Sequence, residues 1–287
     1  MREFAEAVKT ELEKKIDAEV LITETLKNNG LTRTALTIRR SGHQTAPTFY
    51  VEQMEGSSEI VAQNILTALE RLTGEDEIVE RLEELMEDQD ELKNSIYPRL
   101  VNLEWNEVLL KTLPHRRFLV FAATYVLELG DGLSCRITAE MMRRLSVWNE
   151  ERLYKAAISN LRAKGYQILT IHEMISHMME REGTVVGFMP ESLPMLVITT
   201  PDCTFGAAVL LDEELLKEVG RMCGDYYILP SSVNEVIVVP EAAVEDSKYL
   251  KELVMAVNQS SVPREEWLSE SVYKFDGGER GVLRIAD

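Results

Sequence analysis

The sequence is short of the residues from which a covalent or metal framework is built. Cysteine occurs three times in 287 residues, as Cys135, Cys203 and Cys223, an odd number, far apart and without a C-x-x-C pair. That usage argues against a disulfide frame or a zinc knuckle and suits reduced thiols in a core. Histidine occurs four times, as His43, His115, His172 and His177. Positive charge is scarce as well: 31 Lys and Arg face 49 Asp and Glu, a net of −18. Phosphate backbones and anionic lipid both require positive potential, so no nucleic acid and no membrane is expected as a partner. Arg39-Arg40, Arg116-Arg117 and Arg143-Arg144 are isolated pairs that read as ordinary surface. Long apolar runs are missing too. The longest, Phe118 to Leu127, is about half of the roughly 20 residues that a spanning helix needs. It reads as part of a buried strand from Phe118 to Leu129. The first residues, MREFAEAVKTELEKKI, are charged throughout and lack the apolar segment of a secretory signal, so cytoplasmic residence is expected.

What is present is an apolar share of 45%, enough to fill one large or two ordinary cores. Phe4, Val8, Leu12 and Ile16 recur every four residues and predict a first helix with one buried face. Two β-favouring runs, Val20 to Leu26 and Leu31 to Arg39, flank Lys27-Asn28-Asn29-Gly30. Asn-Gly there predicts a hairpin of the two-residue kind that needs positive φ. Pro47 to Gln53 reads as a third strand, and Val61, Ile65, Leu69 and Leu72 trace a second helix that ends near Gly74. This block is α-β-β-β-α. Glu75 to Glu91 then reads as one acidic amphipathic helix around Ile78, Leu82 and Leu85. A domain boundary is expected just after it, giving 1–94 and 95–287.

The second block opens with SIYPRLVN. Asn149 followed by Glu150 and Glu151 is an N-cap with acids in the first turn, and Lys164-Gly165 stops that helix. Met195 to Thr200 and Gly206 to Leu211 read as strands. Asp212 should cap a helix that Gly224 ends. A helix from about Ala242 to Asn258 and a hairpin around Asp276-Gly277-Gly278 follow. The fold class expected is α+β, with mixed, mainly antiparallel sheets and packed helices in two sub-domains.

The stretches LKNNG, PTFYVE, YPRLVN, NEERLYKAAISNL, FGAAVLLD and YYILPSSVNEVIVVP resemble, in order and over most of the chain, an uncharacterised bacterial family of Firmicutes, a domain of unknown function. A fainter similarity to the YtpQ-like family touches YPRLVN, NEERLYKAAISNL and the final strands. Neither resemblance implies an activity. The first implies a histidine in many relatives where this chain has Asn234, so a mechanism that needs a base at that position is in doubt here.

Chemistry is most tempting at Ser231 and Ser232, set between two apolar runs in DYYILPSSVNEVIVVP. A serine nucleophile needs a base within reach and backbone donors for the oxyanion. No G-x-S-x-G elbow surrounds this pair, Pro230 precedes it, and no histidine is near in sequence. Pro-Ser-Ser is also good turn chemistry between strands Tyr226 to Leu229 and Glu235 to Val239. A hairpin is the simpler reading, with a hydrolase using Ser231 or Ser232 as the alternative.

His172-Glu173-Met174-Ile175-Ser176-His177 is one residue too long for a zincin. Five helical positions separate two side chains by about 140°, so no metal site is expected. Met174, Met178 and Met179 read as core, with a yielding groove for a partner helix as the other reading. Gly130-Asp131-Gly132 reads as a turn, since Cys135 stands where a dinucleotide loop places its third glycine. No cofactor is expected. Asp202 and Asp212 could bracket FGAAVLL, but nothing in their spacing selects them. The remaining candidates are the acids Glu83, Glu84, Glu87 and Asp88, which would offer a protein partner with a basic surface a docking face. The function expected is that of a non-enzymatic interaction or regulatory protein.

Overall fold

The four-residue stripe of the first segment folds as α1 (Arg2–Glu13), burying Ala5, Val8 and Leu12. Its partner α2 (Ser58–Arg71) buries Val61, Ala62, Ile65 and Leu69. Between them run β1 (Ala18–Leu26), β2 (Thr32–Arg40) and β3 (Thr48–Tyr50), antiparallel in that order. The register pairs Val20 with Ile38 and Ile22 with Leu36, so period-two alternation turns one apolar face to both helices and closes a core. On the other face Thr23, Thr37 and Thr48 link by hydroxyl contacts of 3.2 and 3.0 Å. A computed structural model describes residues 1–43, 45–71, 75–130, 132–171, 173–174, 194–276 and 282–286.

The β1–β2 hairpin turns over three residues rather than two. Lys27 N donates to Leu31 O at 2.7 Å around Asn28-Asn29-Gly30, with φ of 60° at Asn29 and 68° at Gly30. The acidic segment also departs from expectation, forming α3 (Glu75–Glu87) and α4 (Gln89–Ser95). Asp88 divides them because its Oδ1 accepts from the backbone N–H of Asp90 and Glu91, both at 3.0 Å. A short acid that bonds its own following backbone competes with helix continuation and restarts it as a cap.

The chain divides into two compact units, Met1–Leu92 and Lys93–Asp287. In the second, β4 (Ile96–Asn102) pairs with β6 (Phe121–Gly130), whose other side takes β5 (His115–Phe118) and β7 (Leu133–Arg136). Short helices α5 (Glu107–Leu110) and α6 (Ala139–Arg144) precede α7 (Glu150–Lys164). The expected single strand from Phe118 to Leu129 is corrected here. The chain reverses at Leu119-Val120, Phe118 pairs with Phe121, and Leu119 takes φ of 55°. Turn chemistry is absent from that dipeptide, which is why the run reads as uninterrupted.

A six-stranded sheet follows in the order β13-β12-β10-β11-β9-β8, from β8 (Gln167–Thr170), β9 (Leu196–Thr199), β10 (Tyr226–Leu229), β11 (Glu235–Pro240), β12 (Tyr273–Asp276) and β13 (Val282–Ile285). Every pairing among the described strands is antiparallel. The fold is α+β.

One sheet face packs Ile198, Val236, Val238 and Tyr273 with the segment Gly206–Leu211 and α8 (Glu213–Cys223). The other packs Val197, Ile237 and Val239 with Leu250 and Val254 of α9 (Ser247–Ser261). Gly206–Leu211 is a buried 3-10 turn, not the strand its apolar run predicts. Likewise α9 begins after Asp246, which caps it through Lys248 N, instead of at Ala242. Asn149 and Asp212 do cap α7 and α8, and Gly165 and Gly224 end them with φ of 79° and 76°. Gly130 and Gly132, both at positive φ, sit at the β6–β7 turn. Met174 lies in the core, whereas His172, His177, Met178, Met179 and Gly277-Gly278 fall outside the described residues. No helix among the described residues is long and apolar enough to cross a membrane.

Candidate functional site

The double serine lies in the connection of an antiparallel hairpin, β10 to β11, in which Leu229 pairs with Ile237. Both serines are buried, each at 2% exposure. A second turn, from Arg264 to Leu268, lies against this connection. Val233 N donates to Glu266 O at 2.9 Å, Leu268 N donates to Ser231 O at 3.0 Å, and Ser232 bridges to Trp267. Ser231 faces a small apolar recess with Leu229, Ile237, Leu253 and Val254. Ser232 Oγ accepts from Asn234 N at 3.0 Å, and its hydroxyl holds down the pKa of the Glu235 carboxyl beside it. The hydroxyl therefore has a main-chain partner within its own turn.

Asn234 holds three segments together. Its Oδ1 accepts from Phe205 N at 3.2 Å, its Nδ2 donates to Glu266 Oε2 at 3.3 Å, and its carbonyl accepts from Thr199 Oγ1 at 2.7 Å. Gly206 passes so close that a Cβ there would stand 2.2 Å from Asn234 O and 2.3 Å from Thr199 Oγ1. Only glycine permits that approach. Beside it, Glu235 is partly exposed as a residue while its carboxyl is enclosed. Burial pushes its pKa up to about 7, helped by the Glu266 charge and opposed by the Ser232 hydrogen bond. Near neutrality this carboxyl exchanges a proton, which is the range a general acid or base requires.

The 200–206 loop extends the site to β4. Lys164, the last residue of α7, sits between Glu128 Oε1 at 2.5 Å and Asp202 Oδ2 at 2.7 Å, with its Nζ 4.6 Å from the Tyr97 ring centre. Two residues along β4, the Arg99 guanidinium stands 4.8 Å from the Phe205 ring centre. Asp202 and Asp212 thus serve α7: Lys164 binds the first, and Arg162 binds both carboxylate oxygens of the second at 3.0 and 2.8 Å. Among the described residues no group of three or more His, Cys, Asp or Glu is arranged to hold a metal ion.

Glu83, Glu84, Glu87 and Asp88 lie apart from this cluster, exposed on α3 and at its junction with α4, while Leu85 and Met86 are buried. Arg81 in their midst is engaged by Glu84 and by Glu91. Sequence reasoning reached the serines and the acids but missed Arg99, Glu235 and Glu266. Arg99 left one signal, the single charge in the strand IYPRLVN. Glu266 left none, because its partner Asn234 is 32 residues away.

No curated protein and no solved structure matches the chain. A family model covers residues 1–277, and the chain belongs to that family, a family of unknown function (DUF5688).

Proposed function

We propose that this chain is a non-enzymatic interaction protein of the cytoplasm whose α3–α4 segment docks a partner with a basic surface. The observation that carries this reading is the orientation of α3. With Leu85 and Met86 inward, Glu77, Glu80, Glu83, Glu84, Glu87, Asp88 and Asp90 all face solvent, and Arg81 is held by two acids. Seven solvent-facing carboxylates along the α3–α4 segment, with Arg81 as the one arginine among them, raise a negative potential that attracts cations over roughly a Debye length, about 10 Å at 0.1 M salt. The test is affinity capture from native lysate at low and moderate salt, comparing the wild-type chain with a variant carrying E83K, E84K, E87K and D88K. A basic protein held by the wild type, shed at moderate salt and missed by the variant supports docking. Recovery of nothing basic, or equal recovery by both chains, defeats it.

A hydrolase built on Ser232 is the second reading, favoured by the Glu235 carboxyl near its hydroxyl, whose pKa that hydroxyl lowers and burial raises to about 7. Its 2% exposure weighs against substrate access. Turnover of an ester substrate that disappears in a folded Ser232→Ala variant would establish it.

A further inference from the structure

β1 is an outer strand, and among the described residues only β2 pairs with it. Backbone groups along a strand point alternately to its two sides, so the side facing away from β2 can be read residue by residue. Ile38 N donates to Pro47 O, towards β3, and Thr34 N turns the same way to Glu52 Oε1. The odd-numbered residues of β2 therefore face β1, where the register sets them against Glu19, Leu21, Thr23 and Thr25. The bond from Lys27 N to Leu31 O continues the same series. Ala18, Val20, Ile22, Glu24 and Leu26 are left with N–H and C=O groups that point away from the sheet. Glu24 is exposed there, and Ala18, Ile22 and Leu26 are half-buried.

Such an edge takes up a further strand unless it is short, bulged or interrupted by proline or lysine. The outer strands β3, β8 and β13 are three or four residues long, whereas β1 runs nine residues, AEVLITETL, in unbroken register. Its own sequence is the complement it fits. Turned about a two-fold axis through Ile22, a second β1 overlaps all nine residues antiparallel. The outward residues of the two strands then fall opposite one another as bonded pairs, Ala18 with Leu26, Val20 with Glu24 and Ile22 with itself. Like charges directly opposite destabilise a pair of strands, and here neither glutamate meets another: Glu24 stands opposite Val20, and Glu19 opposite Thr25. Glu19, paired with Arg39 at 3.4 Å, gains Arg33 of the second copy beyond that threonine, since Arg33 is the β2 partner of Thr25. Ala18 and Ile22, which pack only partly against the core, are covered by this pairing. We propose that β1 is a self-association edge, at which two copies of this chain pair antiparallel about Ile22 and join their three-stranded sheets into one.

The experiment is sedimentation of the full chain over a concentration series, in about 0.3 M sodium chloride to screen the net −18 that each copy carries. A species of twice 32.6 kDa is expected to grow with concentration. Glu24→Pro removes one outward donor and sets a ring on the open edge, while the bonds from β1 to β2 stay intact. It should weaken the dimer by about tenfold or more. A monomer at every concentration, or a dimer undiminished in the folded Glu24→Pro chain, overturns the proposal. Should Glu24→Pro fail to fold, amide exchange in the wild type decides. The Ile22 N–H is expected to exchange about tenfold faster in the dilute chain than in the concentrated one, with Leu21 and Thr23 protected in both. An Ile22 rate independent of concentration overturns the proposal.

Discussion

At the scale of single residues, Glu235 carries the clearest consequence. Its carboxyl ordinarily titrates near 4.5 and is pushed up to about 7 in the folded chain, first by burial, then by the Glu266 charge. Below about 4.5 both folded and unfolded states hold the proton, so the group costs nothing. As pH rises from there towards 7 the unfolded state ionises first, and the folded state loses stability until the penalty is complete above about 7. Glu235→Gln, which can still meet the Ser232 hydroxyl, is expected to stabilise the chain at pH 8 by about 1–3 kcal/mol and to change little at pH 4.5. Urea denaturation at the two pH values checks this; an equal effect at both would show that the carboxyl is not enclosed.

Among the elements, α8 depends most on one side chain. Asp212 is 5% exposed, accepts from Glu214 N at 3.1 Å as the N-cap, and binds Arg162 of α7 through both oxygens. The cap and the bidentate pair act on the same carboxylate, so Asp212→Ala removes both. A loss of about 1–3 kcal/mol is expected from chemical denaturation. It stays below the cost of breaking a fully buried pair because Arg162 keeps half its side chain in solvent. The caps were legible in the sequence because a cap is a local event. Asn149 and Asp212 stand beside the backbone N–H groups they satisfy, and Gly165 and Gly224 follow the last turn. The reversal at Leu119-Val120 was not legible, since pairing of Phe118 with Phe121 holds that turn without glycine or asparagine. Nor was the 3-10 turn Gly206–Leu211, whose six residues are all buried and whose conformation answers to Thr199 and Asn234 rather than to its own propensity.

For the whole molecule, residues 1–92 contain a complete core: α1, the three strands and α2 share one buried cluster drawn only from that unit. Expressed alone, residues 1–92 are expected to melt cooperatively with the α-β-β-β-α content intact by circular dichroism; a non-cooperative melt would show that the core is insufficient by itself. By itself the sequence determined the α+β class, most helices and their caps, the β1–β2 and β10–β11 hairpins, and the outward acids of α3, because periodicity, capping and turn chemistry act over a few residues. Only the tertiary structure decided that Arg99, Phe205, Asn234, Glu235 and Glu266 share one place. Arg99 stands more than a hundred residues before the other four, which themselves come from three separate segments, and their burial and mutual charge arise when the sheets close around them.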